Sequence, residues 1–474
     1  MNSSHEERAA MAASTRAANV CQTCKARKKK CDKALPHCGY CTDKGLQCQY
    51  PTRHASPNTL RSLNVPYSNP NIDLLAQTPL GDTLPPVDIT LCRQAQHIIS
   101  ATGQYLDEVS VRYFQSVHSY LPMVSRMRFH AQLLSFGASP QAGFAMLLLS
   151  MSLLTCHPSP DRPETTHLDV STLYLAAKSL LCQAQTLCPP SLNLIQAGVL
   201  LAVFEYTCTE PEQAFLTIGV STRMAYGAAV KRPTSLPTDV STDSAMQLED
   251  EQRNTWWAIL ICERMFLCEL SDLTQPLLSV IPGYINPKKD DLNITPSGNP
   301  VLSGFQNAAQ ATCLLDRVIH RISDIESDHK RAELDELDRT LRTFLTAMMH
   351  QFPAVTGGKC GAIAVAIRAL FLIHRQILGH RTEYDGVWYT SRAALETISK
   401  IVVDIASSHQ GLCTSQLDTL PPSCIYIVRA ALGHLKETDR GLVADLSFSD
   451  AESHLQHSLD RFSDRWKMGN RAPK

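Results

Sequence analysis

Residues Cys21–Cys48 read CQTCKARKKKCDKALPHCGYCTDKGLQC, and one cysteine pattern occurs in them twice. The spacers between successive cysteines are 2, 6, 6, 2 and 6 residues, so the unit C-x2-C-x6-C is repeated after a six-residue connection. The whole chain has 17 cysteines in 474 residues, too few for such regular spacing to arise by chance. The repeat consists of Cys21, Cys24, Cys31, Cys38, Cys41 and Cys48.

Coordination chemistry favours zinc for this repeat. Each unit supplies three thiolates, one fewer than tetrahedral structural zinc takes, so two ions are satisfied if one cysteine of each unit bridges both. A segment this short cannot bury an apolar core, so zinc must supply its folding free energy, roughly 10–16 kcal/mol per ion. A disulfide framework or a redox C-x2-C pair is the alternative. Residues 1–18 are polar and Ala-rich, unlike a secretory signal, which indicates a reducing compartment and favours the metal.

The two units differ in charge. The loop between Cys41 and Cys48 has no net charge, whereas five of the six residues between Cys24 and Cys31 are cationic. Metal ligands would hold those long side chains on a rigid base, as base reading in a major groove requires. The simpler alternative is a nuclear import signal without DNA contact. The five predicted DNA-binding residues are Lys25, Arg27, Lys28, Lys29 and Lys30.

At every cysteine the stretch resembles the DNA-binding domain of the fungal Zn(II)2Cys6 binuclear zinc-cluster transcription factors. The resemblance implies two Zn²⁺ ions and recognition of CGG-type triplets in double-stranded DNA. It places Arg27 and Lys28 nearest the bases and leaves Lys25, Lys29 and Lys30 to phosphates or nuclear import. It also implies that Cys21 and Cys38 bridge the metals, with Cys24 and Cys31 completing one site and Cys41 and Cys48 the other.

Composition divides the chain into segments. Nine Lys/Arg and two Asp lie between residues 16 and 53, although the whole chain has a net charge of −1, so a basic head precedes a mildly acidic body. Seven prolines between residues 51 and 90 predict an extended linker, and no coiled-coil heptads follow the cysteines. The expected segments are a disordered tail at 1–18, the Zn2Cys6 domain at 19–50, a Pro-rich flexible linker at 51–103, an all-helical regulatory domain at 104–300 and a C-terminal helical extension at 301–474.

Helical periodicity extends from about residue 101 to the C-terminal region, with no sustained strand alternation. The longest apolar runs, Gly143–Leu154 and Ala197–Phe204, are too short to cross a bilayer, which predicts core helices and no membrane partner. The predicted fold class is therefore a small Zn2Cys6 head joined by a flexible linker to a large all-α regulatory domain. The acidic and apolar stretch Glu437–Asp464 fits either an activation segment or, preferably, an amphipathic terminal helix.

Two segments of the body resemble the fungal-specific regulatory ("middle homology") domain that accompanies the zinc cluster. They are Ala214–Lys231, AFLTIGVSTRMAYGAAVK, and Glu249–Leu270, EDEQRNTWWAILICERMFLCEL. The resemblance implies control of activity, but no residue identifies an effector ligand.

The sequence does not predict an enzyme. It contains no H-E-x-x-H, G-x-S-x-G or G-x-G-x-x-G motif. Gly357–Cys360 hints at a phosphate loop, but Pro353 and Cys360 stand where that loop needs Gly and Ser/Thr. The cysteines outside the repeat have no metal-ligand spacing and are predicted to be small buried apolar residues.

Together these observations predict a nuclear, sequence-specific regulator of RNA polymerase II transcription. We expect it to act with the transcription machinery, as a monomer or as a homodimer formed through the helical body. Its compact organisation resembles that of pathway-specific activators of fungal secondary-metabolite gene clusters. The alternatives are a repressor, a regulator of primary or catabolic metabolism, and a zinc-stabilised protein-interaction module without DNA contact.

Overall fold

The computed structural model divides the chain into two compact units, Met1–Thr83 and Leu84–Lys474. It describes residues 20–48, 86–156, 169–208, 210–237, 244–281, 300–322, 328–350, 357–379, 386–437 and 446–466. The predicted tail at 1–18 and most of the predicted linker lie outside these ranges.

The first unit contains two short helices, α1 (Gln22–Ala26) and α2 (Gly39–Asp43). Within its described residues, 20–48, the interior consists of cysteine side chains, and Tyr40 and Leu46 are the larger apolar groups packed against them. Residues 20–48 therefore form no apolar core that could hold the two helices together without ligands.

The second unit is helical throughout its described residues, as the periodicity predicts. A 3-10 turn, Val117–Ser119, follows the second of its helices. The helices are α3 (Val87–Ala101), α4 (Leu106–Gln115), α5 (Arg126–Ser135), α6 (Ala142–Thr155), α7 (Val170–Leu187), α8 (Leu192–Thr207), α9 (Pro211–Gly227), α10 (Ser244–Leu267), α11 (Pro300–Ile322), α12 (Asp328–His350), α13 (Gly357–Gly379), α14 (Gly386–His409), α15 (Thr414–Leu417), α16 (Ser423–Glu437) and α17 (Leu446–Trp466).

Two helices form the centre of the second unit. α6 and α8 carry apolar residues all around the helix, and every residue of α8 after Leu192 is buried. α8 begins after Pro189 and Pro190, and the hydroxyl of Ser191 accepts a hydrogen bond from the Leu194 amide at its first turn. α8 packs against α6 and α9, and α6 packs against α3. The two apolar runs identified in the sequence are thus core helices.

The helical unit begins earlier than the sequence predicts, because α3 lies inside the segment assigned to the linker. Pro86 precedes its first residue, Val87, where a proline suits the start of a helix. Leu91, Cys92, Ala95 and Ile99 then recur on one face and are buried. The sequence analysis placed this short apolar stripe in the linker because it directly follows the proline-rich residues.

One core joins the predicted regulatory domain and the predicted C-terminal extension. The Tyr206 and Tyr426 rings stack with centroids 4.0 Å apart, and the Tyr426 hydroxyl donates to the Tyr206 carbonyl at 2.9 Å. Arg368 Nε lies 2.7 Å from Glu269 Oε1 across the same boundary. The division at residue 300 therefore separates two stretches of sequence that share one interior.

Two further sequence features lie on helices. The Gly357–Cys360 stretch begins α13, whose residues Lys359–Gly379 are long and apolar enough to cross a membrane, although 67% of that window is buried against other helices. The described part of the C-terminal stretch from residue 446 onward lies in the amphipathic α17, with Leu455 and Phe462 buried, and residues 438–445 lie outside the described ranges.

The cysteines of the second unit correct one expectation. Cys182 and Cys413 are exposed, and four more are only partly buried, namely Cys156, Cys188, Cys208 and Cys360. The prediction of uniform burial was wrong because residue type alone does not show which helix face a cysteine occupies.

A buried ion network fixes the end of the predicted regulatory domain. Arg264 on α10 is 2% exposed, and its Nε donates to Asp316 Oδ1 on α11 at 2.9 Å. Its Nη2 donates to the Ser279 carbonyl at 2.7 Å, while Glu263 accepts hydrogen bonds from the Leu278 and Ser279 amides at 2.7 and 2.9 Å. This network ties α10 to α11 and to the segment 278–279.

We expect Arg264→Met to lower the free energy of unfolding of the second unit by about 3–5 kcal/mol, because Glu263 and Asp316 would stay buried without their cation. Urea denaturation of the full chain, followed by far-ultraviolet circular dichroism, measures the change. The matched control is Arg112→Met, which removes an exposed ion pair with Glu108 at 3.6 Å and should cost at most about 1 kcal/mol. Equal losses in the two variants would contradict a structural role for the network.

Candidate metal centre and nucleic-acid interface

The two cysteine units fold alike. α1 starts directly after Cys21 and α2 directly after Cys38, and both cysteines have extended backbone angles at the helix N-cap. Cys21 Sγ accepts a hydrogen bond from the Cys24 amide at 3.3 Å. Cys48 Sγ accepts one from the Cys38 amide, also at 3.3 Å. Each C-x2-C pair thus lies at the start of a short helix, with its first cysteine at the N-cap.

The sulfur atoms form two overlapping sets of four. In each set all ligand atoms lie within 4.8 Å of one another, and both sets contain Cys21 and Cys38. This sharing is the arrangement that two bridging ligands require. The first set is Cys21, Cys24, Cys31 and Cys38, and the second is Cys21, Cys38, Cys41 and Cys48.

The spacing of the sulfurs fits zinc and excludes disulfides. Cys21 Sγ lies 3.7 Å from Cys38 Sγ, and Cys24 Sγ lies 3.6 Å from Cys38 Sγ. Four sulfurs about 2.3 Å from a tetrahedral zinc ion are about 3.8 Å apart. A disulfide would bring two sulfurs to about 2.05 Å. The six cysteines can therefore hold two Zn²⁺ ions, with Cys21 and Cys38 shared.

Burial of the thiols explains why the cluster needs cations. It raises the pKa of Cys24 to about 12 and raises the pKa of Cys41 as well. Burial opposes ionisation of Cys21 too, but hydrogen bonds from the Cys24 amide and from neighbouring thiols lower its pKa to about 6. Zinc binds the thiolate form, so binding releases protons and acid weakens it.

The loops after the two C-x2-C pairs share one backbone path. The Lys29 amide donates to the Cys24 carbonyl at 2.9 Å, and the Leu46 amide donates to the Cys41 carbonyl at 2.8 Å. The preceding residue is left-handed in both units, with φ of 51° at Lys28 and 60° at Gly45. Glycine takes this conformation freely, whereas a side chain makes it costly by about 1–2 kcal/mol.

Two contacts that the sequence did not predict fasten the units to each other. Thr23 Oγ1 donates to the Gln47 carbonyl at 2.5 Å. Asp32, in the connection between the units, accepts a hydrogen bond from the Gly39 amide at 3.0 Å. A Cβ on Gly39 would lie 2.8 Å from Asp32 Oδ2, so any larger residue there would have to displace the Asp32 carboxylate. In the sequence, the features that could have indicated this contact are the polar Asp32 before the second unit and the glycine directly after Cys38.

All five predicted DNA-binding residues are exposed and follow one another between Cys24 and Cys31. Lys25 belongs to α1, and Arg27 is its C-cap residue. Lys28, Lys29 and Lys30 continue directly from that helix end. The corresponding loop of the second unit is also largely exposed, but only Lys44 in it is cationic. The structure therefore concentrates positive charge on the first unit.

We expect Cys38→Ala to abolish stoichiometric binding at both zinc sites, because its sulfur belongs to both sets of ligands. The matched control is Cys48→Ala, which removes a ligand from the second set alone and should leave about one zinc per chain. Zinc content is measured by elemental analysis of purified full-length protein after dialysis. One retained zinc in Cys38→Ala would contradict the shared position of this sulfur.

Comparison with known proteins agrees with this geometry. Residues 19–56 match the fungal Zn(2)-Cys(6) binuclear cluster domain, and residues 111–279 match the fungal specific transcription factor domain. Both segments quoted above for their regulatory resemblance fall within the second match. The chain is also 30% identical over 148 residues to Transcription factor BOA15 of Botryotinia fuckeliana (strain B05.10), an alignment that covers 31% of this chain and 80% of that relative.

These matches account for both units. The binuclear cluster domain binds two zinc ions, and the two overlapping sets of sulfurs supply their ligands. The helical unit contains the matched regulatory domain, and the matched families are transcription factors rather than enzymes. This chain belongs to the fungal Zn(2)-Cys(6) binuclear cluster transcription factors, which are DNA-binding regulators of transcription.

Proposed function

We propose that this transcription factor recognises CGG-type triplets in promoter DNA through the loop between Cys24 and Cys31. The observation that carries the proposal is a difference in charge between two loops whose backbones have the same hydrogen bond and the same left-handed residue. Five exposed cations occupy the first loop, and a single lysine occupies the second. A rigid turn that carries clustered cations is suited to binding the negatively charged DNA duplex. The second unit would supply the remaining zinc ligands that hold this turn in place.

Within this loop, Arg27 and Lys28 would contact base edges, and Lys25, Lys29 and Lys30 would contact phosphates or serve nuclear import. The conformation of Lys28 supports its assignment. Gly45 occupies the same place in the second unit, so the backbone there accepts glycine at no cost. A lysine in this costly left-handed conformation, where glycine would be easier, is consistent with a functional role for the lysine side chain.

We expect Lys28→Gly to keep the zinc cluster folded and to reduce discrimination at one base step by about 1–3 kcal/mol. Glycine relieves the left-handed strain at residue 28, so this variant separates recognition from folding better than an alanine would. Competition gel shifts with CGG duplexes and single-base variants measure discrimination, and zinc content confirms folding. Unchanged discrimination would contradict the role given to Lys28. If the unsubstituted protein bound no duplex, a protein-interaction module would be favoured.

The matched control is Lys29→Ala, a neighbouring cation assigned to phosphate. It should weaken binding to all sequences alike and reduce the slope of log affinity against log salt by about one unit. A base-selective loss in Lys29→Ala would contradict this division between base and phosphate contacts.

Regulation would follow from the helical unit. We propose a nuclear, pathway-specific activator of a fungal biosynthetic gene cluster for a secondary metabolite, acting through the transcription machinery. One zinc cluster followed by a helical regulatory unit supports this proposal by its similarity to such regulators. Homodimerisation through the helical unit would account for the absence of coiled-coil heptads after the cysteines.

We expect chromatin occupancy of the tagged protein to concentrate at promoters of one set of adjacent biosynthetic genes. Transcripts of those genes should fall when the chain is deleted. The control is a strain that carries Lys28→Gly, in which occupancy should be lost although the protein remains present. Rising transcripts on deletion would favour a repressor, and occupancy across primary-metabolism genes would contradict the proposed pathway.

A further inference from the structure

One side of α9 exposes apolar side chains. Leu216 is 64% exposed, and Val220, one helical turn further on, is 45% exposed. The other side of the helix packs into the interior of the unit, and its buried residues are Ala214, Thr217, Ile218, Ser221, Thr222 and Ala225. Two large apolar side chains that lie next to each other in water form a candidate contact surface.

A neighbouring segment extends this apolar surface. Gly219 lies between Leu216 and Val220 in the sequence, and a Cβ on it would lie 3.5 Å from Leu278 Cδ1. The Tyr226 hydroxyl donates to the Leu278 carbonyl at 3.1 Å, which holds the segment alongside α9. Leu278 is itself only partly buried. Its side chain therefore adds to the apolar area that α9 exposes.

Charges of opposite sign lie at the two ends of the exposed side. Glu212 is exposed in the first turn of α9, and Arg223 is exposed eleven residues later. Eleven residues are close to three turns, so both side chains lie on the same side of the helix, about 16 Å apart along its axis. Within the described part of the chain, neither forms an ion pair. We define the α9 face as Glu212, Leu216, Val220, Arg223 and Leu278.

The order of residues on the α9 face is complementary to itself. When two copies of α9 pack antiparallel with Leu216 of one opposite Val220 of the other, Glu212 of each copy lies beside Arg223 of the other. Two-fold symmetry repeats every contact, so apolar contacts occupy the centre and an ion pair lies at each end. A parallel arrangement would instead bring glutamate beside glutamate and arginine beside arginine. Charge complementarity therefore favours a second copy of this chain, in the antiparallel direction.

A second helix shows that exposure alone does not define such a surface. On α5, Leu134 is 90% exposed and Met127 is 68% exposed. The ionisable side chains of this helix are Arg126, Arg128 and His130, and it contains no acidic residue. Two copies of α5 would bring basic side chains together, so this helix lacks the complementarity of the α9 face.

We propose that the α9 face binds the α9 face of a second copy of this chain, with the two helices antiparallel. Leu216 and Val220 form the centre of the contact, and Glu212 of each copy pairs with Arg223 of the other. This inference rests on the proposed homodimerisation through the helical unit and assigns the surface that performs it. A dimer formed in this way carries two copies of the loop between Cys24 and Cys31.

The test measures sedimentation velocity of the zinc-loaded full chain at a series of protein concentrations. We expect the unsubstituted chain to form a reversible dimer. Arg223→Glu would place an acid beside Glu212 at both ends of the contact, so the dimer Kd should rise at least about tenfold. The double variant Glu212→Arg/Arg223→Glu exchanges the two charges and should return the Kd to within about threefold of the original. Circular dichroism shows whether each variant retains its helices.

Leu216→Glu tests the apolar centre and should also raise the Kd at least about tenfold. The matched control is Leu134→Glu, which places the same charge on the exposed side of α5 and should leave the Kd unchanged. A dimer that persists unchanged in Arg223→Glu and Leu216→Glu would overturn the assignment of the α9 face and leave homodimerisation standing. An unsubstituted chain that stays monomeric at every concentration would overturn both proposals, and the α9 face would then be free to bind a different protein.

Discussion

Metal–thiolate coordination is the interaction on which the first unit depends. Cysteine side chains form the interior of its residues 20–48, and among these residues Tyr40 and Leu46 add the larger apolar surface. Bringing six thiols this close without a cation would leave buried groups whose ionisation is costly. Two zinc ions stabilise the thiolates and connect the helical turns, so folding of this unit and metal binding are one equilibrium. Loops that end on metal ligands are consequently fixed in position, which a basic peptide alone would not achieve.

The loops after Cys24 and Cys41 share a hydrogen bond and a left-handed residue but differ in their side chains. In the first unit, the left-handed position is occupied by Lys28 and surrounded by cations; in the second, the same position is Gly45. The second loop thus has glycine at the left-handed position and little charge, which is consistent with a structural role. The first loop accepts a local conformational cost and concentrates charge, as binding surfaces commonly do.

The helical unit is organised by a different force. Nearly all residues of α6 and α8 are buried, so burial of apolar surface holds the surrounding helices around them. The buried polar groups in this interior are arranged as networks: Arg264 with Glu263 and Asp316 connects α10 to α11, and Arg368 with Glu269 connects α13 to the end of the matched regulatory domain. Such networks add directionality to an otherwise non-directional core.

The sequence by itself determined the metal chemistry, the location of charge and the helical class, because ligand spacing, loop composition and periodicity are local properties of the chain. It assigned α3 to the linker because a single short apolar stripe beside prolines has little local signal. Only the tertiary structure decided which separate residues meet: Asp32 with Gly39, Arg264 with Asp316, and Tyr206 with Tyr426. Periodicity shows which face of a helix is buried, but it does not show against which partner, at what angle or in which register that face packs.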